Sequence, residues 1–210
     1  MTTRDVAIQV LTDPPDPALV EQVVNILLKG GVAVLPTDTV YGLCAAAESE
    51  AGVRRVFELK GRDTSKALPV FVGNLSQARA VAELNIEAER LASVFWPGAL
   101  TLILKRRPGI AWNLGGDPHT IGIRWPQSRF VSEICLRAGP ITSTSANASG
   151  APEAKTVTQA GEAFGSRVDL YVDGGPSPTE VPSTVVSLVS DPQILREGAI
   201  SAAEFLGKLR

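Results

Sequence analysis

After Asp16-Pro17 the apolar residues Leu19, Val20, Val23, Val24, Leu27 and Leu28 recur at three- and four-residue spacing until Gly30-Gly31. Asp and Pro are favoured at the N-cap and first turn of a helix and glycine just past its end, so this stretch predicts a helix. Residues 32–35 then form an uninterrupted apolar run of strand length. Ser49 caps a second helical pattern in which Val53, Val56, Phe57 and Lys60 precede a terminating Gly61. Residues 68–72 read as strand, 76–84 and 87–95 as helices stopped by Trp96-Pro97-Gly98, and 99–104 as strand. Residues 120–124 are extended, Ser128 caps a helix carrying Phe130, Val131, Ile134 and Leu136, and Pro140-Ile141-Thr142 is extended again. Residues 170–172, 184–189 and 194–195 are strand-like, and Ser201 with Glu204 forms a capping box for a last helix.

This alternation of types predicts an α/β fold. The 210 residues fit one large domain, 1–210, and 44% apolar content supplies a core without staples. Gly174-Gly175-Pro176-Ser177-Pro178 reads as a mobile loop rather than a linker.

Charge and rare residues narrow the chemistry. A net charge of -2 gives no global positive field, so any polyanion must meet a local basic patch. One histidine, His119 between Pro118 and Thr120, and two distant cysteines, Cys44 and Cys135, argue against a Cys/His zinc site and against Ser-His or Cys-His catalysis. No run of about 18 uncharged apolar residues occurs, so no membrane association and a cytoplasmic location are expected. No two glycines are separated by one residue, which excludes the G-x-G-x-x-G fingerprint, and the G-x-x-x-x-G-K-[ST] phosphate loop is also absent. Isolated carboxylates give no basis for a protein-caged metal, so no metal ligands are assigned.

Three polar segments remain. Pro36-Thr37-Asp38-Thr39-Val40-Tyr41-Gly42-Leu43 follows an apolar strand and reads either as a strand-end turn or as a binding loop. In Lys60-Gly61-Arg62-Asp63-Thr64-Ser65-Lys66 three cations gather at a helix C-terminus, where they complement the helix dipole. The intervening glycine also lets Lys60 and Arg62 converge on one anion such as a triphosphate. Thr142-Ser143-Thr144-Ser145-Ala146-Asn147-Ala148-Ser149-Gly150 offers short donors and backbone N–H groups at a strand end, suited to phosphate or ribose oxygens. Arg124 closes an apolar strand before Trp125-Pro126 and needs an acidic partner, either a substrate carboxylate or an internal Asp or Glu. Arg196 in Leu195-Arg196-Glu197-Gly198 is equally ambiguous.

The order of these motifs, together with Trp96-Pro97-Gly98 before Leu100-Thr101 and with Pro182-Ser183-Thr184, closely resembles the YrdC-like family, the threonylcarbamoyl-AMP synthases, over nearly the whole chain. The resemblance implies a twisted mixed sheet with flanking helices and a large positively lined groove. It implies formation of L-threonylcarbamoyl-AMP and pyrophosphate from L-threonine, bicarbonate and ATP, for threonylcarbamoyladenosine modification of tRNA beside the anticodon, a nucleotidyl transfer feeding downstream tRNA threonylcarbamoyl-transfer proteins. Carried over by position, Lys60, Arg62, Ser145 and Asn147 fall on the nucleotide-binding tetrad, with Lys60 and Arg62 as the catalytic pair and Arg196 near the nucleotide. Lys66 matches a further basic position, although Ala67 stands where proline is commoner. Thr37, Arg124 and Ser183 fall on the threonine contacts. Mg2+ is expected to arrive mainly on the ATP phosphates. The chain's end soon after Arg196 is expected to mark a short form whose own loops close the groove.

Condensing a threonine carbamate with the α-phosphate needs no protein nucleophile, so scarce His and Cys are no handicap; positioning and charge neutralisation suffice. The rival readings are an RNA-binding module, or weak RNA contact, in the same groove, and a related carbamoyl-adenylate-forming enzyme using carbamoyl phosphate. The first is weakened by the acidic balance and by the lack of aromatics interleaved with Arg or Lys.

Overall fold

The computed structural model describes residues 7–179 and 181–209. In chain order the elements are β1 Ile8–Val10, α1 Pro17–Leu28, β2 Ala33–Leu35, β3 Gly42–Ala46, α2 Glu50–Lys60, β4 Val70–Phe71, α3 Leu75–Val81, β5 Ala82–Glu83, α4 Ile86–Phe95 and β6 Leu100–Arg106. They continue with β7 Thr120–Arg124, α5 Arg129–Ala138, β8 Ile141–Ser145, α6 Val157–Phe164, β9 Leu170–Asp173, β10 Thr184–Ser187, β11 Gln193–Arg196 and α7 Ala202–Leu209. Among the described residues eleven strands join one mixed sheet in the order β1-β9-β2-β3-β8-β4-β7-β6-β10-β11, with β5 paired to β6.

The helix starts are made by the side chains the sequence offers. Asp16 accepts from Ala18 N at 2.8 Å, Ser49 from Gly52 N at 3.1 Å and Ser128 from Val131 N at 3.3 Å. Gly61, with φ of 57°, ends α2, and the following Arg62 N–H returns to Phe57 O at 3.1 Å.

Several expectations are corrected. The helix expected to run to residue 84 ends at Val81, because Ala82–Glu83 pair antiparallel with Lys105 and Arg106 of β6. Leu136 is 51% exposed, and Cys135 occupies the buried face of α5 instead. The loop at 174–178 is tethered: the Tyr41 hydroxyl donates to Gly175 O at 2.6 Å and accepts from Gly174 N at 3.0 Å, and Ser177 N donates to Lys155 O. Strands β1 and β3 and helix α6 are additions to the expected set.

The two faces of the sheet are covered unequally, and this creates the site. One face carries Leu43, Ala45, Val70, Ile123, Leu100, Leu102 and Val186 into a large core with Val53, Val56, Phe57, Leu91, Phe164 and Phe205 from the helices. The other face is packed by α1 and α5 on Ala33, Leu35, Cys44, Ala46, Phe71 and Ile141. That second apolar cluster takes no residue from β6, β7 or β10, so the same face is left open there.

Candidate functional site

Strand register selects what the uncovered face displays. Gly42 pairs with Ser145 and Cys44 with Ser143; Phe71 lies beside Arg124; Ile103 pairs with Gly122; Thr101 lies beside Val185, which pairs with Arg196. Because side chains alternate across a strand, these residues share one face while their neighbours fill the main core. The result is a cavity of about 340 Å³ walled by this face and by the loops bearing Thr37, Thr39, Arg62, Glu153 and Ser183. That volume lies within the range of small-molecule sites. Gly122 lies on its floor and keeps it deep; a Cβ there would meet only ordinary contacts of 3.5 Å or more.

Arg124 is anchored at one end. Its Nη2 donates to Asp38 Oδ1 at 2.6 Å, Nη1 to Thr39 Oγ1 at 3.0 Å and Nε to Gly98 O at 2.9 Å, and its guanidinium stands 5.5 Å from the Phe71 ring centroid. The acidic partner required by the sequence is therefore internal. Burial pulls the Arg124 pKa down and Asp38 opposes this, so the pair keeps a charged guanidinium inside the protein. Two of its five N–H donors remain for a ligand in the cavity it lines. Thr37 stands beside it, its hydroxyl donating to Val40 O at 2.7 Å and accepting from Thr39 N. The Trp96-Pro97-Gly98 segment owes its place here to Gly98, which accepts from Arg124 and donates to Trp125 O at 2.8 Å.

A second cationic group forms the rest of the wall. Arg196 directs Nε and Nη2 onto Ser183 O and Nη2 also to Ser183 Oγ, and Ser183 Oγ lies 2.9 Å from Thr101 Oγ1. Arg62 spends Nε and Nη2 on the carbonyls of Lys66 and Ala67. Burial lowers both arginine pKa values, and Arg196 lowers that of Arg62 further, so the two cations repel across the cavity. Thr184 fixes the backbone just beyond Arg196: its hydroxyl donates to Ile200 O and accepts from Gly198 N and Ile200 N. Gly198 is required at this crossing, since a Cβ would come within 2.3 Å of Pro182 O.

Lys60 lies one layer behind. Its buried ammonium donates to Ser145 O at 2.7 Å, Asn147 Oδ1 at 2.8 Å and, more weakly, Ser145 Oγ at 3.4 Å. Burial first, and Arg62 second, bring its pKa down to about 8, against the pull of Glu153. Asn147 in turn donates to Ala148 O and Ala151 O, and Ser149 N donates to Lys60 O. The hydroxyl-rich loop is thus held rigid by the lysine beneath it.

Of the residues expected at the site, Thr37, Arg62, Arg124, Ser145, Ser183 and Arg196 line the cavity together. Lys60 and Asn147 adjoin it through Ser145, and Lys66 is exposed, contributing a carbonyl to Arg62. Several lining residues escaped the sequence analysis as site residues, Thr101 and Glu153 among them. Thr101 has a signal there, as the one polar position within the run Leu100 to Leu104; Glu153 lies in a loop without periodicity and has none. Cys44 and Cys135 are buried free thiols, that of Cys44 pushed up to about 12, and His119 is exposed in a turn. Among the described residues no group of three or more His, Cys, Asp or Glu converges, and no helix is long and apolar enough to cross a membrane.

Comparison with known proteins places this arrangement among relatives. The Sua5/YciO/YrdC family, described as telomere recombination, matches residues 25–198. A Mycobacterium leprae protein bearing, provisionally, the name threonylcarbamoyl-AMP synthase is 38% identical over 84% of this chain and 81% of its own. The threonylcarbamoyl-AMP synthase of Vibrio vulnificus is 31% identical over 85% of this chain and 97% of its own. The crystal structure of P. abyssi Sua5 complexed with L-threonine superposes with a TM-score of 0.91 at 31% identity, covering 98% of this chain and 62% of that one. The present chain therefore spans about three-fifths of the length of that protein.

Proposed function

Since the chain belongs to the Sua5/YciO/YrdC family, we propose that it is a threonylcarbamoyl-AMP synthase, a nucleotidyltransferase that joins L-threonine, bicarbonate and ATP and supplies the threonylcarbamoyl group for tRNA modification. The observation that carries this reading is the single cavity in which Arg124, an anchor for one carboxylate, shares walls with the Arg62/Arg196 pair, an anchor for phosphates.

The threonine amine forms a C–N bond to the bicarbonate carbon with loss of water, giving a carbamate. A carbamate oxygen then bonds to the α-phosphorus as the bond from phosphorus to the bridging oxygen breaks, and pyrophosphate leaves with that electron pair. Arg124 receives the threonine carboxylate on its free donors, held in orientation by Asp38, Thr39 and Gly98. Thr37 and Ser183 lie within the same cavity to bond the rest of the amino acid. Arg62, half-buried, and Arg196, exposed at the cavity's edge, neutralise charge that grows on the departing pyrophosphate. Lys60 contributes through Ser145 and Asn147, keeping the loop's hydroxyl and N–H donors in place.

The cavity wall offers arginines, hydroxyls and one carboxylate, a donor set unsuited to a resident metal cage but compatible with Mg2+ entering on the nucleotide phosphates. That ion would supply additional neutralisation of phosphate charge. The test is mass spectrometry of the nucleotide product from ATP, bicarbonate and isotopically labelled threonine. An AMP adduct carrying the label is expected; pyrophosphate release that persists unchanged without threonine or bicarbonate overturns the reading.

A further inference from the structure

Glu153 is the one carboxylate in the cavity wall among the described residues. The other acid nearby, Asp38, is committed to Arg124. By contrast, Arg62 and Arg196 have no carboxylate within ion-pair distance among the described residues: their bonds go to the carbonyls of Lys66, Ala67 and Ser183 and to the Ser183 hydroxyl, and each retains donors. The backbone carrying Glu153 is held on both sides. Asn147 Nδ2 donates to Ala151 O at 2.6 Å, Tyr41 N reaches Ala154 O at 3.4 Å, and Ser177 N donates to Lys155 O at 2.8 Å. Glu153 thus lines, on a tethered backbone, the same cavity as Arg62 and Arg196, and its field acts on both Lys60 and Arg196.

From this geometry we infer that Glu153 weakens the cavity's hold on polyphosphate: it supplies the negative charge that Arg62 and Arg196 otherwise draw from the ligand, so that pyrophosphate departs after the transfer. The inference rests on the phosphate-binding reading of the cavity. A site that binds ATP and must discard pyrophosphate gains nothing from holding both with its full positive charge, since tight ground-state binding of the product slows turnover. A fixed carboxylate in the wall subtracts attraction in proportion to ligand charge.

Calorimetric titration of magnesium-free pyrophosphate into the full chain and into Glu153→Gln, Glu153→Asp and the distant exposed control Glu162→Gln tests this. Glu153→Gln should bind about tenfold more tightly than the unaltered chain, the scale of one charge removed at short range in a partly buried site, and the gain should shrink in high salt. Glu153→Asp and Glu162→Gln should stay close to the unaltered chain. Repeating the titration with Mg2+ and with ATP separates the alternatives. Equal or weaker pyrophosphate binding by Glu153→Gln overturns the inference, and a loss confined to the Mg2+ arm makes the carboxylate a metal contact instead. Loss of L-threonine binding by Glu153→Gln also overturns it, showing that the residue merely supports the wall. If the unaltered chain binds neither pyrophosphate nor ATP, the phosphate reading itself fails and the inference falls with it.

Discussion

Replacing Asp38 with Asn removes the counter-charge of a guanidinium that is almost wholly enclosed, with side-chain exposures of 4% for Arg124 and 11% for Asp38 and a 2.6 Å contact between them. Breaking a buried pair from one side typically costs about 3–5 kcal/mol, because the surviving charge keeps its desolvation penalty. Here the penalty is reduced, since the bonds to Thr39 and Gly98 and the contact with the Phe71 ring survive, and Asn retains an oxygen acceptor. A loss of roughly 2–3 kcal/mol is expected, or about 4–12 °C in melting temperature for a chain of this size. Urea unfolding followed by tryptophan fluorescence measures it. The same substitution leaves Arg124 without its resident anion, so added L-threonine should raise the melting temperature of Asp38→Asn more than that of the unaltered chain. A loss below about 1 kcal/mol would show that the ion pair is solvated and weak. A threonine shift unchanged by the substitution would remove Arg124 from the threonine site.

Gly122→Val should fold, because its Cβ meets only ordinary contacts, yet fill the cavity floor and lower product formation at least tenfold in the labelled-threonine assay. Thr142 of β8 buries a hydroxyl with no hydrogen-bond partner among the described residues, so Thr142→Val should stabilise by about 1 kcal/mol in urea unfolding; a destabilised variant would reveal a partner for that oxygen. With its pKa brought down from 10.5 to about 8, Lys60 is charged below pH 8 and neutral above it in the folded chain, while the unfolded chain keeps the proton up to about 10.5. The unfolded state binds more protons between these values, so the Lys60 contribution to stability rises with pH across that window, while ATP affinity falls as the positive charge is lost. Lys60→Met should abolish this rise in urea titrations from pH 7 to 11; an unchanged profile would assign it to another group.

What local chemistry decides was legible along the chain. The caps at Asp16, Ser49 and Ser128, the helical spacing of α1 and the apolar run of β6 depend on neighbours a few residues apart, and the structure repeats them. Six of the expected site residues do meet in one cavity, because motif order preserved what spacing alone left ambiguous. Other features depended on partners distant in sequence. Gly42–Ala46 has no alternating pattern, since as a central strand it is buried throughout, and it is a strand only because β2 and β8 bond to its two edges. Lys60 could be read either as a helix cap or as a partner of Arg62 on an anion, and it is a buried tether, because Ser145 and Asn147, 85 and 87 residues away, come to its ammonium. Arg124 needed an acid, and only the pairing of Phe71 beside it, with Asp38 folded over the same end, determined which acid that is. The cavity itself is a property of uneven covering: α1 and α5 span part of one sheet face, and the uncovered remainder, floored by Gly122 and walled by Arg62, Glu153 and Arg196, exists only once the strand order is set. Periodicity records which way a side chain points, but whether anything lies opposite it is settled by packing between segments far apart in the chain.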